Sequence, residues 1–312
     1  MADPVALIAL ALDAAFGWPE RLYRRIGHPV GGIAAIIGGL EKALNRPSWP
    51  DATRRIAGIA TLAITLAVTG GITWGATWLM TTYLGGYAWI GIGLLAAPGL
   101  AQRSLNDHVA PIAAALRTGD VQGARIAVGK IVGRDTDRLD AAGIARAGIE
   151  SLAESFCDGI VAPLFWLLIG GLPGLWIYKA INTADSLIGH REPRWRTFGW
   201  ASARIDDLAN WIPARISGAL LCLAGPGGWC VMRRDARKHA SPNAGWPEAA
   251  MAGVLDLRLA GPVSYDGVTQ LKPWIGSGRP AATAADIARA LQVYRRACLL
   301  LWIVTGALLW VR

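Results

Sequence analysis

The stretch Ile56–Met80, IAGIATLAITLAVTGGITWGATWLM, is the part of the sequence that decides the fold. It is uncharged and about 25 residues long, whereas roughly 20 apolar residues are enough to cross the hydrocarbon core of a bilayer. The next apolar stretch, Tyr87–Ala101, is shorter and follows the uncharged linker TTYLGG. Together the two stretches predict a tight helical hairpin in a membrane, with its charged ends on one side.

The composition of the whole chain agrees with a membrane location. Its 312 residues are 53% hydrophobic and 17% charged, with a mean hydropathy of +0.36, whereas soluble domains average about 25% charged residues. The net charge of +9 is not arranged as blocks of Lys and Arg interleaved with aromatic residues, so it indicates membrane orientation and no nucleic-acid partner. The four cysteines contain no CxxC pair, which disfavours a disulfide framework or a zinc site. We expect a single membrane domain over residues 1–312.

Two further apolar stretches are interrupted by helix-breaking residues. Ile160–Tyr178 contains GGLPG and Ile212–Met232 contains AGPGG, which predicts either broken spans or re-entrant hairpins. The last stretch, Cys298–Val311, is short for a span unless the preceding residues extend it. Basic residues accumulate in four polar segments, 17–55, 103–158, 179–211 and 233–297. If all four face the cytoplasm, the stretch at 160–178 is re-entrant.

The polar segments are themselves helical in pattern. Alanine, charged and apolar residues recur at helical spacing, and no sustained strand alternation is present. We therefore predict an all-α, polytopic integral membrane protein with transmembrane and re-entrant helices and with helical loops on the cytoplasmic face. Segments 103–158, 179–211 and 233–297 are expected to form the functional site.

One candidate site lies just before the interrupted stretch at 160–178. Glu150, Glu154 and Asp158 occur at positions i, i+4 and i+8, so one helical face can present three acids. A solvated helix face explains such a pattern equally well. Acids this close to a membrane-like segment are costly, however, unless they have a function.

A second candidate is the segment KAINTADSLIGHREPR. Asn182 and Asp185 are about one helical turn apart, and His190 and Arg191 follow near the expected helix end. Alternatively, Asn182 and Asp185 are capping residues, His190 is an ordinary surface histidine and the arginines bind lipid phosphates.

A third candidate is ARIDDLANW, residues 203–211. On a helix, the side-chain oxygens of Asp206, Asp207 and Asn210 can converge, and Mg²⁺ commonly uses one or two carboxylates together with substrate phosphates. Arg204 and Arg215 are then available to neutralise phosphate charge. The alternative is an acid pair that only forms salt bridges with these arginines.

The segment HASPNAGWPEAA contributes weaker candidates, Asn243 and Glu248, in a turn followed by a short helix. The sequence contains no GxxxxGK[ST], GxSxG or HExxH motif. A standard nucleotide-binding loop, a serine hydrolase and a zincin are therefore disfavoured.

Several of these segments resemble a known family. ESLAESFCDGIVAPLFW, KAINTADSLIGHREPRWRTFGWASARIDDLANWIPAR and HASPNAGWPEAAMAG, with GHPVGGI and GRDTDRLD, are similar in kind and order to the adenosylcobinamide-phosphate synthases (CbiB/CobD) of cobalamin biosynthesis. The likeness runs through most of the chain. Ser155 and Cys157 depart from the family pattern, which has asparagine and a small aliphatic residue at these positions.

The resemblance implies amide formation between a propionate of the corrinoid adenosylcobyric acid and aminopropanol or its phosphate, with Mg²⁺ and ATP as cosubstrate. In this hypothesis Asp185, Asp206 and Asp207 ligate Mg²⁺, and one of Glu150, Glu154 or His190 takes the amine proton. The corrinoid would rest near Trp195, Trp200 and Trp211. The residues assigned to substrate binding are His28, Arg134, Asp135, Asp158, Asn182, Arg191, Arg204, Asn210, Asn243 and Glu248.

The same resemblance implies a multi-pass protein of the bacterial cytoplasmic (inner) membrane, as a homo-oligomer or beside other membrane enzymes of the cobalamin pathway. Two other functions fit parts of the sequence. Asp-rich segments also occur in intramembrane prenyltransferases that bind Mg-diphosphate, and broken helices occur in transporters and carriers.

Overall fold

The computed structural model describes residues 4–265 and 268–311. The helices, numbered in chain order, are α1 Val5–Phe16, α2 Glu20–Ile26, α3 Pro29–Leu44, α4 Asp51–Leu84, α5 Ala88–Ala96, α6 Gln102–Arg117, α7 Val121–Gly129, α8 Ala141–Phe156, α9 Ala162–Ile188, α10 Trp200–Ala209, α11 Trp211–Ala224, α12 Trp229–Asp235, α13 Gly245–Leu255 and α14 Ala284–Val311. A π-helical segment, Cys157–Val161, separates α8 from α9. The structure is 77% helical, which confirms the predicted fold class.

The predicted hairpin is present. α4 contains all of Ile56–Met80, and the chain turns at Gly85, which has a φ of 52°. A Cβ placed on Gly91 of α5 would lie 2.6 Å from the Met80 Sδ of α4, so the two helices meet closely beyond the turn. Ile72 and Trp74 on α4 are about two-thirds exposed, as expected of side chains that face lipid.

Three helical stretches are long and apolar enough to cross a membrane: Asp51–Arg117, Ala141–Ile188 and Ala284–Val311. The first includes the α4–α5 hairpin. The third corresponds to α14, in which residues before Cys298 extend the short apolar stretch into a helix of 28 residues. The sequence prediction of a membrane protein with several apolar helices is therefore confirmed.

The second stretch is not one straight helix. Gly171, inside α9, has the non-helical angles φ 60° and ψ −154°. In a straight helix, Trp166 and Gly174 would be separated by about 12 Å along the axis, because eight residues rise about 12 Å. Here a Cβ on Gly174 would lie only 3.3 Å from the carbonyl carbon of Trp166. The chain therefore folds back on itself at Gly171, which is the geometry of a re-entrant hairpin.

The AGPGG sequence also ends a helix. α11 stops at Ala224, and Gly227 and Gly228 have φ values of 99° and 87° before α12 begins. A Cβ on Gly228 would lie 3.1 Å from Cys222 Sγ, so α12 begins close against α11. This interruption confirms the break that the sequence predicts.

Short strands occur near the end of the chain, in a region that the sequence predicts to be helical or irregular. β1 Leu259–Ala260 pairs with β4 Trp274–Ile275, and β2 Val263–Tyr265 pairs with β3 Val268–Gln270, both antiparallel. With two or three residues each, these strands are too short for the side-chain alternation that identifies strands in a sequence.

The chain contains two compact units that alternate along the sequence. The first unit consists of residues 1–101, 162–210 and 308–312, and the second of residues 102–161 and 211–307. In the first unit α4 packs against α9 and α3, and in the second α13 packs against α11, α12 and α8. In the second unit Tyr294 Oη donates to the Gln102 carbonyl at 2.7 Å, which attaches α14 to the start of α6.

Candidate functional site

In the first unit, α9 and α10 bring several of the predicted polar side chains together. Asp206 accepts hydrogen bonds from Asn210 Nδ2 at 3.1 Å and from Asn182 Nδ2 at 3.4 Å. Tyr178 Oη donates to Asn210 Oδ1 at 3.0 Å. Asp185 lies close enough to Asp206 to repel its charge. We call these five residues the Asp206 cluster.

The pKa of the Asp206 carboxyl is well above the ordinary value for aspartate. Burial, and next the charge of Asp185, raise its pKa to about 7, while the hydrogen bonds from Asn210 and Asn182 lower it. In the described part of the chain, the donors to Asp206 are neutral amides and the charges that act on it are those of Asp185 and Asp207, so its own negative charge is not compensated. The Asp206 cluster therefore has the electrostatic character of a cation-binding site.

Asp207 points to different partners from its neighbour. Its carboxylate lies 3.6 Å from Arg204 Nη1, and burial raises its pKa while the charges of Arg204 and Arg191 lower it. The adjacent aspartates thus separate into one that faces amides and one that faces arginines. No group of three or more His, Cys, Asp or Glu side chains suited to a metal ion is found among residues 4–265 and 268–311.

The loop between α9 and α10 carries His190 and Arg191, both exposed. The His190 ring packs on Trp195 at 5.5 Å between ring centroids. Arg194 fixes this loop to α3 through two hydrogen bonds of 3.0 Å to the buried Glu41. A Cβ on Gly189 would lie 2.6 Å from the Asp185 carbonyl oxygen and closer still to its carboxylate, so the loop leaves α9 directly over Asp185.

His28 also belongs to the first unit. Its Nδ1 accepts a hydrogen bond from Val30 N–H at 3.2 Å, which caps α3. Burial and the nearby charge of Lys179 lower its pKa. His28 therefore lies near Lys179, which is three residues before Asn182 on α9.

The second unit contains a polar cavity of about 220 Å³. Three glutamates, Glu150 and Glu154 of α8 and Glu248 of α13, contribute to its lining. The lining residues are Ile131, Val132, Gly133, Arg134, Glu150, Ser151, Glu154, His239, Glu248, Ala260 and Lys272. Acidic and basic side chains thus face the same small volume.

Glu150 is the fixed member of the three. It is buried, forms an ion pair with Arg134 and accepts a hydrogen bond from Ala260 N–H at 2.7 Å. Ala260 has a φ of 59°, a left-handed conformation that costs a non-glycine residue about 1 kcal/mol. Glu154 lies one turn further along α8 and is exposed.

Glu248 is held differently. It is buried, and its Oε1 lies 3.6 Å from His239 Nε2. Burial raises the pKa of Glu248 well above its ordinary value, and the charges of Glu154 and Glu150 add to this effect. Burial and the charge of Lys272 lower the pKa of His239, so the histidine is neutral at pH 7.

The other predicted residues of this unit, Asp135, Asp158 and Asn243, are not among the residues that line the cavity. Asp158 lies in the π-helical segment and acts electrostatically on Glu154. Asp135 lies next to Arg134 in the loop before α8. Asn243 accepts a hydrogen bond from Arg215 Nη1 at 3.2 Å.

The tryptophans proposed to support the corrinoid have separate surroundings. Trp200 stacks under Arg55 at 5.0 Å, and Trp195 packs on Arg194 at 5.2 Å, both within the first unit. In the second unit Arg215 lies between the rings of Trp211 and Trp246, at 4.4 and 4.7 Å. Each of these rings therefore has a guanidinium partner.

The structure adds two residues that sequence reasoning did not select, His239 and Lys272. His239 is the first residue of HASPNAGWPEAA, the segment that supplied Asn243 and Glu248, so its position in that motif was a usable signal. Lys272 lies in the short connection before β4, and no motif marks it. Conversely His190, one of three residues proposed to take the amine proton, belongs to the first unit and does not line the cavity with Glu150 and Glu154.

Comparison with known proteins identifies the family. The sequence matches the family described as CobD/Cbib protein over residues 6–294. The chain belongs to the CobD/CbiB family. The matched range contains the residues of the Asp206 cluster and those that line the cavity of the second unit.

Individual members are similar over nearly their full length. The chain is 50% identical over 310 residues to the "Cobalamin biosynthesis protein CobD" of Rhodobacter capsulatus, covering 97% of both chains. It is 44% identical over 311 residues to the protein of that name from a Sinorhizobium species, covering 96% of both chains. It is 46% identical over 300 residues to that of Brucella suis biovar 1, covering 93% of this chain and 91% of the relative. No solved structure gives a significant match.

Proposed function

We propose that this CobD/CbiB protein is an enzyme of cobalamin biosynthesis that forms an amide. It joins aminopropanol, or its phosphate, to a propionate carboxylate of adenosylcobyric acid, using ATP. The names of its relatives support a role in cobalamin biosynthesis. The reaction type is the one implied by the resemblance to adenosylcobinamide-phosphate synthases. The observation that carries the proposal is the charged cavity of the second unit.

The size of the cavity suits the smaller substrate. Its volume of about 220 Å³ lies below the range of roughly 300 to 1,000 Å³ for drug-sized ligands. An amino alcohol or its phosphate matches such a volume, while a corrinoid is far too large. The corrinoid would therefore present only its propionate side chain to the amine.

The charges of the cavity suit an amine that loses a proton. Glu154 and Glu248 attract the ammonium form of the substrate, and Lys272 and Arg134 supply positive charge for a phosphate or a carboxylate. In the reaction the bound ammonium first loses one proton to solvent, and the resulting amine nitrogen attacks the activated carboxyl carbon, so that the C–N bond forms and the C–O bond to the leaving phosphate breaks. The proton released by the nitrogen passes to a carboxylate of the cavity.

The Asp206 cluster fits a magnesium ion by its donor chemistry. Asp185 and Asp206 supply carboxylate oxygens, which are ligands that Mg²⁺ prefers, and the amide nitrogens of Asn182 and Asn210 orient the Asp206 carboxylate. We assign Asp185 and Asp206 as the ligands. A magnesium ion held there would supply positive charge for a transferring phosphate. Asp207, which faces Arg204 at 3.6 Å, would orient that arginine toward phosphate rather than bind metal.

The membrane setting follows from the apolar helices. We place the protein in the bacterial cytoplasmic membrane as a multi-pass protein whose polar segments face the cytoplasm, where ATP is available. Its partners are then the bilayer, the corrinoid and the amine, and either a second copy of the chain or other membrane enzymes of the pathway.

Purified protein in lipid nanodiscs tests the proposal. Adenosylcobyric acid, Mg-ATP and either aminopropanol or its phosphate are mixed with it, and the corrinoid product is measured by mass spectrometry. The expected result is an ATP-dependent product with the mass of the amide. Binding of an isoprenoid diphosphate with no amide formed would instead identify a prenyltransferase, and corrinoid binding without turnover would identify a carrier.

A further inference from the structure

The loop before α13 fixes the tautomer of His239. His239 Nδ1 accepts a hydrogen bond from the Ser241 main-chain N–H at 3.0 Å. A neutral imidazole whose Nδ1 is an acceptor carries its proton on Nε2. The Ser241 hydroxyl oxygen in turn accepts from the N–H groups of Asn243 and Ala244, both at 3.2 Å. The loop thereby holds one ring orientation.

In this tautomer Nε2, the ring nitrogen that faces Glu248, carries the proton. Nε2 lies 3.6 Å from Glu248 Oε1, slightly beyond hydrogen-bond distance, as is common for catalytic contacts that shorten when substrate binds. α13 can come this close because Gly245 has no side chain. A Cβ there would lie 2.7 Å from His239 Cβ and closer still to the Ala236 carbonyl oxygen.

Of the three glutamates that line the cavity, Glu248 is the one that is buried and is not held by an arginine ion pair as Glu150 is. Glu150 is committed to Arg134 and to Ala260 N–H, and Glu154 is exposed. Glu248 is 4% exposed. A buried carboxylate is the stronger base, because burial disfavours its charged form.

We propose that Glu248 is the general base that accepts the amine proton, and that His239 is the positioning residue that orients and tunes it. This assignment rests on the proposed amide-forming function. The O–H bond forms at Glu248 as the N–H bond of the attacking amine breaks, and Nε2–H of His239 stabilises the carboxylate beforehand.

Other charged groups also act on Glu248. They are Glu150 and Glu154 from α8, Arg134 from the loop before α8, and Lys272 from the connection before β4. The two acids raise the pKa of Glu248, whereas Arg134 and Lys272 lower it. A hydrogen bond from His239 to the Glu248 carboxylate would lower the pKa further, so we expect removal of His239 to move the titration of Glu248 to higher pH.

The test compares Glu248→Gln, His239→Ala and His239→Gln in the nanodisc assay. Glu248→Gln is expected to lower kcat at least about 100-fold, the lower bound of general-base catalysis. His239→Ala is expected to shift the acid limb of the kcat/KM profile upward by about one pH unit, roughly a tenfold loss below that limb. His239→Gln restores the profile, because its amide N–H can replace Nε2–H. His108→Gln, which changes an exposed histidine of the same unit, is the matched control.

Infrared titration of the protonated carboxyl band gives a readout independent of turnover. A band that titrates in the wild type should be lost in Glu248→Gln and shifted to higher pH in His239→Ala, with folding checked by thermal melting. A full rate in Glu248→Gln, or a pH profile and band unmoved in His239→Ala, would overturn the assignment. A wild-type protein that makes no amide product would instead refute the proposed function itself, and with it the base role.

Discussion

Two aspartates, the half-buried Asp206 of the first unit and the fully buried Asp235 of the second, have opposite surroundings. Asp235 of the second unit accepts two hydrogen bonds of 2.8 Å from Arg234, lies 2.7 Å from Lys238 Nζ and accepts from Gly276 N–H. These partners hold its pKa far below the ordinary range. Asp206 of the first unit has only amide donors and a nearby acid, and its pKa is raised to about 7.

The different partners of Asp235 and Asp206 indicate different roles for the two carboxylates. A buried carboxylate with full positive compensation connects elements of the fold, here α12 to β4. A buried carboxylate without that compensation destabilises the fold when it is charged, and it persists in a protein when a ligand or a reaction uses it. The comparison therefore supports the proposed role of Asp206 in the site and a structural role for Asp235.

The largest effect is expected from Asp206→Asn. The substitution keeps the shape of the side chain but removes the charge that attracts Mg²⁺, so Mg²⁺-dependent turnover should fall about 100-fold. The variant should also melt at a higher temperature than the wild type at pH 8, since an unfavourable buried charge is gone. Unchanged turnover would remove Asp206 from the metal site.

The second prediction concerns Asp235→Ala. Loss of the carboxylate leaves Gly276 N–H unpaired and should lower the free energy of unfolding by about 2 kcal/mol. The residual folded protein should retain its turnover at low temperature. A variant with wild-type stability and little activity would reverse the roles assigned to the two aspartates.

The same pair predicts opposite effects of pH on stability, measured by melting in Mg²⁺-free buffer. Because the folded-state pKa of Asp206 is raised from 3.8 to about 7, its contribution makes the protein less stable as pH rises between these values. Asp235 has a lowered pKa, so its contribution is present above pH 3.8 and is lost as pH falls below it. Asp206→Asn should flatten the first slope, and Asp235→Ala should remove the second.

A smaller effect is expected from Gly189→Ala. The added Cβ meets the Asp185 carbonyl oxygen at 2.6 Å, so Asp185 must shift relative to Asp206. We expect about a tenfold loss of turnover, as is typical for a displaced metal-site residue. Gly31→Ala is the matched control, because nothing lies within 4 Å of a Cβ at that position. Equal activity of both variants would show that the placement of Asp185 is unimportant.

The apolar helices of the fold could be predicted because their signal is local. The hairpin at Ile56–Met80 follows from an uncharged stretch and a glycine turn, and the breaks in α9 and α11 follow from glycine and proline clusters. The short strands could not be predicted, since a pair such as Leu259–Ala260 depends on Trp274–Ile275 further along the chain. The division into two units is likewise a property of distant contacts.

The candidate residues were predictable where they lie on one helix. Glu150 and Glu154 are one turn apart on α8 and do line one cavity. Which partner each acid acquires depends on residues elsewhere in the sequence: the charged Arg134 for Glu150, the neutral His239 for Glu248, and the amides of Asn182 and Asn210 for Asp206. For the same reason the sequence left the roles of Asp206 and Asp207 open, and the structure distinguishes them by their neighbours.

The left-handed conformation of Ala260 has a consequence for mobility. Because a glycine would adopt it without strain, the fold holds this alanine in place by the surrounding contacts, among them the 2.7 Å hydrogen bond to Glu150. Glu150 is thus bound to rigid main chain, while Glu154 is exposed and has room to change rotamer. For a small ligand in this cavity we therefore expect the Glu150 side to keep its position and the Glu154 side chain to adjust.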